Sequence, residues 1–265
     1  MIVKSMEFKG NKAEIRLEGS DVYFVNSLRR VMLAELPKLA IDDVIIYDNT
    51  SPLFDEIIAH RLALIPIPTD LSLLTYRTSC KCEGKGCPSC TVRYTLSKEG
   101  AGMVYSGDLQ PDLPSFAVTE TKIPIVELSK DQRIILEVEA VLGRGREHAK
   151  WQTVIAPRYT LEPVITVDKK RLNDAKAFVQ DLPAGLVELK GSTLELKDRA
   201  RLPELEQYLE KGKEESITVR RDTSKITFAF ETDGSMSAKD ALKESVAILT
   251  RKYEEFAAHL KELKL

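Results

Sequence analysis

Cys80, Cys82, Cys87 and Cys90 are the residues best placed to do chemistry; they are the chain's only four cysteines and follow one another as C-x-C-x4-C-x2-C. Four thiolates on one short loop can take the corners of a tetrahedron, the closed shell of a structural zinc ion. Gly84 and Gly86 let the loop turn back, since glycine tolerates positive φ, and Pro88 stiffens its second half. In a reducing compartment such a cluster reads as a metal site rather than as disulfides. Two local disulfides, four free thiols and an iron–sulfur cluster on the same sulfurs compete with that reading. The tight C-x-C pair and the compact loop favour zinc. With four thiolates the shell is full, so the expected role is structural and not catalytic.

Other chemistry finds little support. His60, His148 and His259 are far apart and sit in no H-E-x-x-H or H-x-E pattern. There is no phosphate-binding G-x-x-x-x-G-K-[ST] loop and no G-x-S-x-G elbow. Gly143-Arg144-Gly145-Arg146 lacks the third glycine of a dinucleotide fingerprint and reads as a basic loop. Paired acids such as Asp42-Asp43 and Asp55-Glu56 are common on surfaces and at helix starts. The residues therefore predict no enzyme acting alone.

Three polar islands remain. In Asn26-Ser27-Leu28-Arg29-Arg30, adjacent helical residues point about 100° apart, so one arginine stays near the apolar face while the other leaves it; a solvated edge with snorkelling stems is the plainer account. In the stretch from Asp55 and Glu56 to His60 and Arg61, acids at the start and bases near the end suit a helix dipole. From Gly143 to Trp151, the basic Arg144, Arg146, His148 and Lys150 lead into the chain's single Trp. That pattern marks a contact with protein or phosphate, or else a solvated loop beside a core Trp.

The elements that must position these residues follow from hydrophobic periodicity. Val3–Phe8 and Ala13–Leu17 read as strands about a Gly10-Asn11 turn. Val22–Leu36 reads as a helix N-capped by Asp21, with Phe24, Val25, Leu28, Met32 and Leu36 on one face and Pro37 beyond its end. Ile41–Tyr47, Thr91–Leu96, Arg133–Leu142 and Ile226–Phe230 read as strands, and Asp55–Leu64 as a short helix. Charged short helices fill 163–218. Near the C-terminus, Ser237-Ala-Lys-Asp240 resembles a capping box with Asp in place of Glu or Gln. Behind it Leu242, Val246, Leu249, Tyr253, Phe256, Leu260 and Leu263 recur at alternating steps of four and three, a heptad seam. Such a helix spans on the order of 39 Å, so either it packs on its own domain or part of its stripe meets a partner chain.

The 265 residues suffice for one large domain or two modest ones with a sizeable core. With 39 Lys+Arg against 41 Asp+Glu, the net charge of -2 argues against a chain that grips nucleic acid by its own field. No apolar run reaches the roughly 18 residues of a membrane helix and the first residues have no apolar signal core, so a cytoplasmic protein is expected.

Taken in order, several segments resemble the alpha-like D subunits of archaeal RNA polymerase, a family similar to the third-largest subunit of eukaryotic RNA polymerase II and, in its dimerisation part, to bacterial alpha. They are Asn26-Ser-Leu-Arg-Arg-Val-Met-Leu-Ala-Glu-Leu-Pro37, Phe54-Asp-Glu-Ile-Ile-Ala-His-Arg-Leu-Ala-Leu-Ile-Pro66, Val104-Tyr-Ser-Gly-Asp-Leu109 and His148-Ala-Lys-Trp151. The cysteine loop lies between the second and third, where the eukaryotic relatives carry a similar zinc loop. The resemblance covers about 1–160 and the C-terminal helix. It implies an α+β fold with a split dimerisation domain, 1–46 and 219–265, an inserted β-rich domain, 47–162, holding the zinc loop, 80–90, and a ferredoxin-like domain, 163–218.

The implied role is a non-catalytic scaffold. The dimerisation domain would pair with a smaller alpha-like subunit, and the pair would gather two further small subunits and the second-largest catalytic subunit. Nucleic acid would be met only through the assembled polymerase. Asn26, Arg29, Arg30, Asp55, Glu56, His60, Arg61, His148, Lys150 and Trp151, with Leu242, Val246, Leu249, Tyr253, Phe256 and Leu260 of the seam, would be packing and inter-subunit contacts. Many archaeal members hold iron–sulfur clusters in the ferredoxin-like domain. Here Phe178-Val-Gln-Asp-Leu-Pro-Ala-Gly185 resembles the turn after such a cluster, yet 163–218 contains no cysteine, so one zinc and no iron–sulfur cluster is expected. A stand-alone zinc-bearing interaction module using Arg144, Arg146 and Lys150, or an enzyme with a site assembled from distant residues, are the rival classes.

Overall fold

The computed structural model describes residues 1–190, 193–198, 201–212 and 215–263, apart from the side chains of Lys169, Leu189, Lys190 and Thr193. Six residues of the expected ferredoxin-like domain (191–192, 199–200 and 213–214) and two of the expected dimerisation domain (264–265) lie outside the described residues. The chain is α+β. Its strands are β1 Ile2–Lys9, β2 Lys12–Glu18, β3 Pro37–Asn49, β4 Thr91–Glu99, β5 Gly102–Tyr105, β6 Gln110–Pro111, β7 Pro124–Leu128, β8 Arg133–Arg144, β9 Val154–Val167, β10 Val187–Lys190, β11 Thr193–Leu196 and β12 Ile217–Thr232. The α-helices are α1 Val22–Ala34, α2 Asp55–Ala63, α3 Leu172–Asp181, α4 Leu202–Gly212 and α5 Ala238–Glu262. The strands form sheets ordered β1-β2-β12-β9-β11-β10, β3-β8-β4-β6 and β5-β7.

By compactness the chain divides into two units: one of Met1–Ser5, Ile15–Val22 and Tyr159–Phe228, the other of Met6–Glu14, Tyr23–Arg158 and Ala229–Leu265. Segment 163–218 falls wholly in the first. Its core is apolar throughout: Ile165 and Val167 of β9, Ala175 of α3, Leu182, Leu186, Leu194 of β11, Leu205 of α4 and Ile217 of β12 are all buried.

The second unit carries the larger core, built on the antiparallel β3-β8-β4 ladder. Period-two alternation turns Val92, Tyr94 and Leu96 of β4 and Ile134, Leu136, Val138 and Ala140 of β8 inward. Ile58 and Leu62, one helical turn apart on α2, cover the same cluster. The Tyr94 hydroxyl is buried there and donates to the Phe116 carbonyl at 2.8 Å. Burial pushes its phenol well above the usual tyrosine range.

Most local readings hold with shifted ends, but 163–218, read as short helices, also carries β10 and β11 between α3 and α4. Gly10 takes φ 58° at the expected β1–β2 turn. On α1, Val25, Leu28, Val31 and Met32 are buried, whereas Phe24 is half-buried. The helix stops at Ala34, two residues before the expected end, and Pro37 opens β3 instead of merely following the helix. Proline is tolerated as the first residue of a strand, and there Pro37 is already opposite Arg144. At the start of α5 the Ser237 hydroxyl accepts the Asp240 amide N–H at 3.1 Å. Asp240 is one methylene shorter than Glu, and its carboxylate takes the Ser237 hydroxyl at 2.6 Å.

Candidate metal centre and C-terminal helix

The cysteine loop lies before β4, where Thr91 starts the strand. Glu83 (φ 55°), Gly84 (φ 82°) and Gly86 (φ 82°) all take the left-handed conformation, so the loop reverses where its glycines stand. Its base is closed by Thr75 N–H donating to the Ser89 carbonyl at 2.8 Å. The amides of Cys90 and Thr91 both donate to the Cys87 carbonyl at 2.9 Å.

This backbone gathers the four sulfurs. Cys80 and Cys87 Sγ lie 3.5 Å apart, Cys82 and Cys90 3.6 Å, Cys87 and Cys90 3.9 Å. All four lie within 4.8 Å of one another. A zinc–sulfur bond of about 2.3 Å gives a tetrahedron edge of about 3.8 Å, which these separations match. A disulfide needs about 2.05 Å, and all four cysteines are free. A multi-iron cluster spreads its ligands across several metals and needs wider spacing than this. The donor set therefore fits one soft, four-coordinate metal ion. The thiols are already uneven. For Cys82, burial works upward, but hydrogen bonds from the Cys80 and Cys90 side chains and from the Gly86 and Cys87 amides bring it down to about 6. Burial pushes Cys90 up to about 11. Four thiolates this close repel unless a cation sits among them.

The islands are scattered rather than convergent. On α1, Arg29 is half-buried and its Nε donates to Asn26 Oδ1 at 3.1 Å, while Arg30 is exposed. On α2, Asp55 accepts the Asn49 side-chain amide at 2.7 Å, Glu56 and His60 face solvent, and Arg61 Nη1 donates to the Ile125 carbonyl at 2.8 Å. Of the basic loop, Trp151 is buried with Ala40 and Val141, and its indole N–H donates to the Val141 carbonyl at 3.2 Å. Lys150 Nζ is held at 2.6 Å from Asp42 Oδ1 and 4.4 Å above the Trp151 ring. His148 is exposed, accepts the Lys150 amide and stands edge-on to Trp151. Lys150 and Trp151 thus pack within their own chain. Asp42 reaches Lys150 from a β-bulge between Ile41 and Asp43, which breaks the ladder at that residue.

The two glycines of the basic loop have a packing role that spacing did not show. A Cβ on Gly143 would enter the Trp151 ring, and one on Gly145 would strike the Leu33 carbonyl oxygen of α1.

The expected seam of α5 divides in two. Ala238, Ala241, Ser245, Ile248 and Leu249 are buried, so Leu249 belongs to the helix's inner face rather than to an open stripe. Leu242 is half-buried. Val246, Tyr253, Phe256 and Leu260 are exposed, Phe256 by 60%. From Arg251 to Leu263 every residue is exposed. Lys252 nonetheless pairs with Glu35 just past α1.

Two features escaped sequence reasoning. Lys38 is buried and its ammonium lies 2.5 Å from Asp233, ahead of α5. Arg77, three residues before the first cysteine, donates to the Gly84 carbonyl and to Glu139. Asp233 and Glu139 lie too far along the chain for periodicity to pair them with Lys38 and Arg77.

A family model described as the RNA polymerase Rpb3/RpoA insert domain matches residues 41–169. That match, on a fold with a four-thiolate loop and a long helix exposed over its outer half, gives the class: an alpha-like polymerase subunit. Whole-chain relatives make it narrower. The chain is 37% identical to the DNA-directed RNA polymerase subunit Rpo3 of Methanopyrus kandleri, over 95% of this chain and 92% of that one. It is 36% identical to the Rpo3 of Methanosphaera stadtmanae over 99% of both chains, and 32% identical to that of Picrophilus torridus over 97% and 98%. The chain belongs to the Rpo3 family of DNA-directed RNA polymerase subunits.

Proposed function

We propose that this subunit is an assembly platform of the polymerase, pairing through α1 and the outer half of α5 with a smaller alpha-like subunit. The pair would then gather two further small subunits and the second-largest catalytic subunit, with nucleic acid met only through the assembled enzyme. Polymerisation chemistry belongs to the large subunits. The observation that carries this reading is the end of α5: the helix runs on past its own core with Tyr253, Phe256 and Leu260 in solvent. Exposed apolar stripes of this kind mark interaction sites, and a short exposed helical end is marginal by itself.

The split dimerisation domain, the inserted domain with its zinc loop and a cluster-less ferredoxin-like domain keep the boundaries given above. The wholly apolar core around Leu186 and Leu205 supports a third domain that folds without a cluster. A cytoplasmic setting accords with free cysteines. Among the described residues no helix is long and apolar enough to cross a membrane.

Cys80, Cys82, Cys87 and Cys90 hold one structural zinc. Its chemistry there is to cross-link the loop; the full shell leaves no position for substrate. Elemental analysis of the purified chain is expected to find about one zinc per chain, and iron with visible absorbance would overturn the assignment. For pairing, the test is co-expression with the smaller alpha-like subunit: the wild-type chain is expected to co-elute in fixed proportion and Phe256→Asp to elute apart. Stoichiometric co-elution of Phe256→Asp would place the interface elsewhere.

A further inference from the structure

We infer that Arg77 positions the metal loop, locking the stretch between its two cysteine pairs onto the β3-β8-β4 sheet; this rests on reading the four cysteines as a metal centre. The guanidinium serves both sides at once. Its Nε donates to the Gly84 carbonyl at 3.0 Å, midway between Cys82 and Cys87. Its Nη1 lies 3.1 Å from Glu139 Oε2 on β8 and 3.6 Å from Asp43 Oδ2 on β3. Asp43 and Glu139 stand directly opposite each other across the β3–β8 pair, and Glu139 stands opposite Arg93 across β8–β4. Carboxylates opposed in this way repel. A planar, permanently charged fork beside both relieves that repulsion and still has an N–H for the loop.

The loop is shaped to receive it. A Cβ on Gly86 would lie 3.3 Å from Arg77 Nη2, so the loop's second glycine sits against the guanidinium. Glu139 is well sheltered, with its side chain 15% exposed, and Arg93 Nη2 holds its other oxygen at 2.9 Å. Glu139 is therefore held from the side away from the loop as well. Arg77 touches no sulfur; it acts through the backbone that sets where Cys82 and Cys87 stand. Contacts of this outer kind typically govern metal affinity by about 10- to 100-fold.

The test compares full-length wild-type protein with Arg77→Met, Arg77→Lys, Arg93→Met and Glu139→Gln. Zn2+ affinity is read by competition with a chromophoric chelator, and thiolate geometry by the absorption of the Co2+-substituted protein. Arg77→Met is expected to weaken Zn2+ binding about 10- to 100-fold and to alter the Co2+ bands. Arg77→Lys keeps the charge but not the fork and recovers only part of the loss. Glu139→Gln, which keeps the side chain's shape, shifts affinity the same way. Arg93→Met removes the other guanidinium from the same carboxylate without touching the loop, and is expected to cost clearly less affinity than Arg77→Met. Wild-type affinity in Arg77→Met, or an equal loss in Arg93→Met, overturns the proposal. If the wild-type chain binds neither Zn2+ nor Co2+, the metal reading itself falls and the role of Arg77 with it.

Discussion

Lys38 and Asp233 show how much one pair of residues can decide. Their side chains are 4% and 14% exposed, and the ammonium also lies 3.4 Å from the Gln152 carbonyl. Two desolvated charges offset each other only while both are present. Lys38→Met is therefore expected to destabilise the chain by about 3 kcal/mol, because the half-buried Asp233 keeps its two hydrogen bonds from Ser235 but loses its counter-charge. Lys38→Met combined with Asp233→Leu recovers much of that loss. Urea denaturation of the two variants measures it, and a double variant no better than the single would show that the pair is not the cause. This pair could not be read from sequence, because nothing local marks a lysine in a strand as buried. The four cysteines were legible, since ligand spacing on one loop is itself local information. The same holds for Gly84 and Gly86, whose positive φ values follow from the reversal the loop must make.

At the level of elements, α5 was legible as a helix from its cap and its repeat. Its division into a buried and an open face was not. A repeat of four and three marks one stripe, but which turns are covered by the chain's own core depends on where that core ends, and it ends near Leu249. Leu249→Asp and Phe256→Asp should therefore behave differently although both sit on the seam. The first is expected to lower the stability of the isolated chain, since it buries a carboxylate without a partner. The second leaves stability within about 0.5 kcal/mol and costs about 2 kcal/mol or more in pairing with the smaller subunit, roughly 30-fold in affinity. Thermal melts of each chain, read beside the co-elution result, separate the two effects; equal melts would mean that Leu249 is not buried in solution.

The basic loop makes the same point in reverse. Its charges suggested a contact surface, while its glycines record a close approach to α1 and Trp151. Gly145→Ala is expected to cost about 1–3 kcal/mol by chemical denaturation, since the new methyl meets a backbone oxygen of α1 that cannot swing aside. A neutral effect would show that the loop has room to shift.

For the whole molecule, motif order was more legible than motif contacts. Asn26 to Pro37, Phe54 to Pro66 and the loop ending at Trp151 pointed to the family, and relatives of matching length bear that out. Yet those segments do not converge on one site. Arg61 is tied to Ile125, Lys150 to Asp42, and Trp151 to Val141, while Arg30, Glu56 and His60 are open to solvent. The proposed scaffold role would use such a division, with some of each motif holding the chain's own elements and the exposed rest free to meet neighbours. The prediction is that those neighbours are polymerase subunits. It is tested most directly by purifying the tagged, full-length chain from its own cells at moderate salt and identifying by mass spectrometry what stays with it. Two very large polymerase subunits and a small alpha-like chain in fixed proportion are the expected result, and a chain that elutes alone would contradict it.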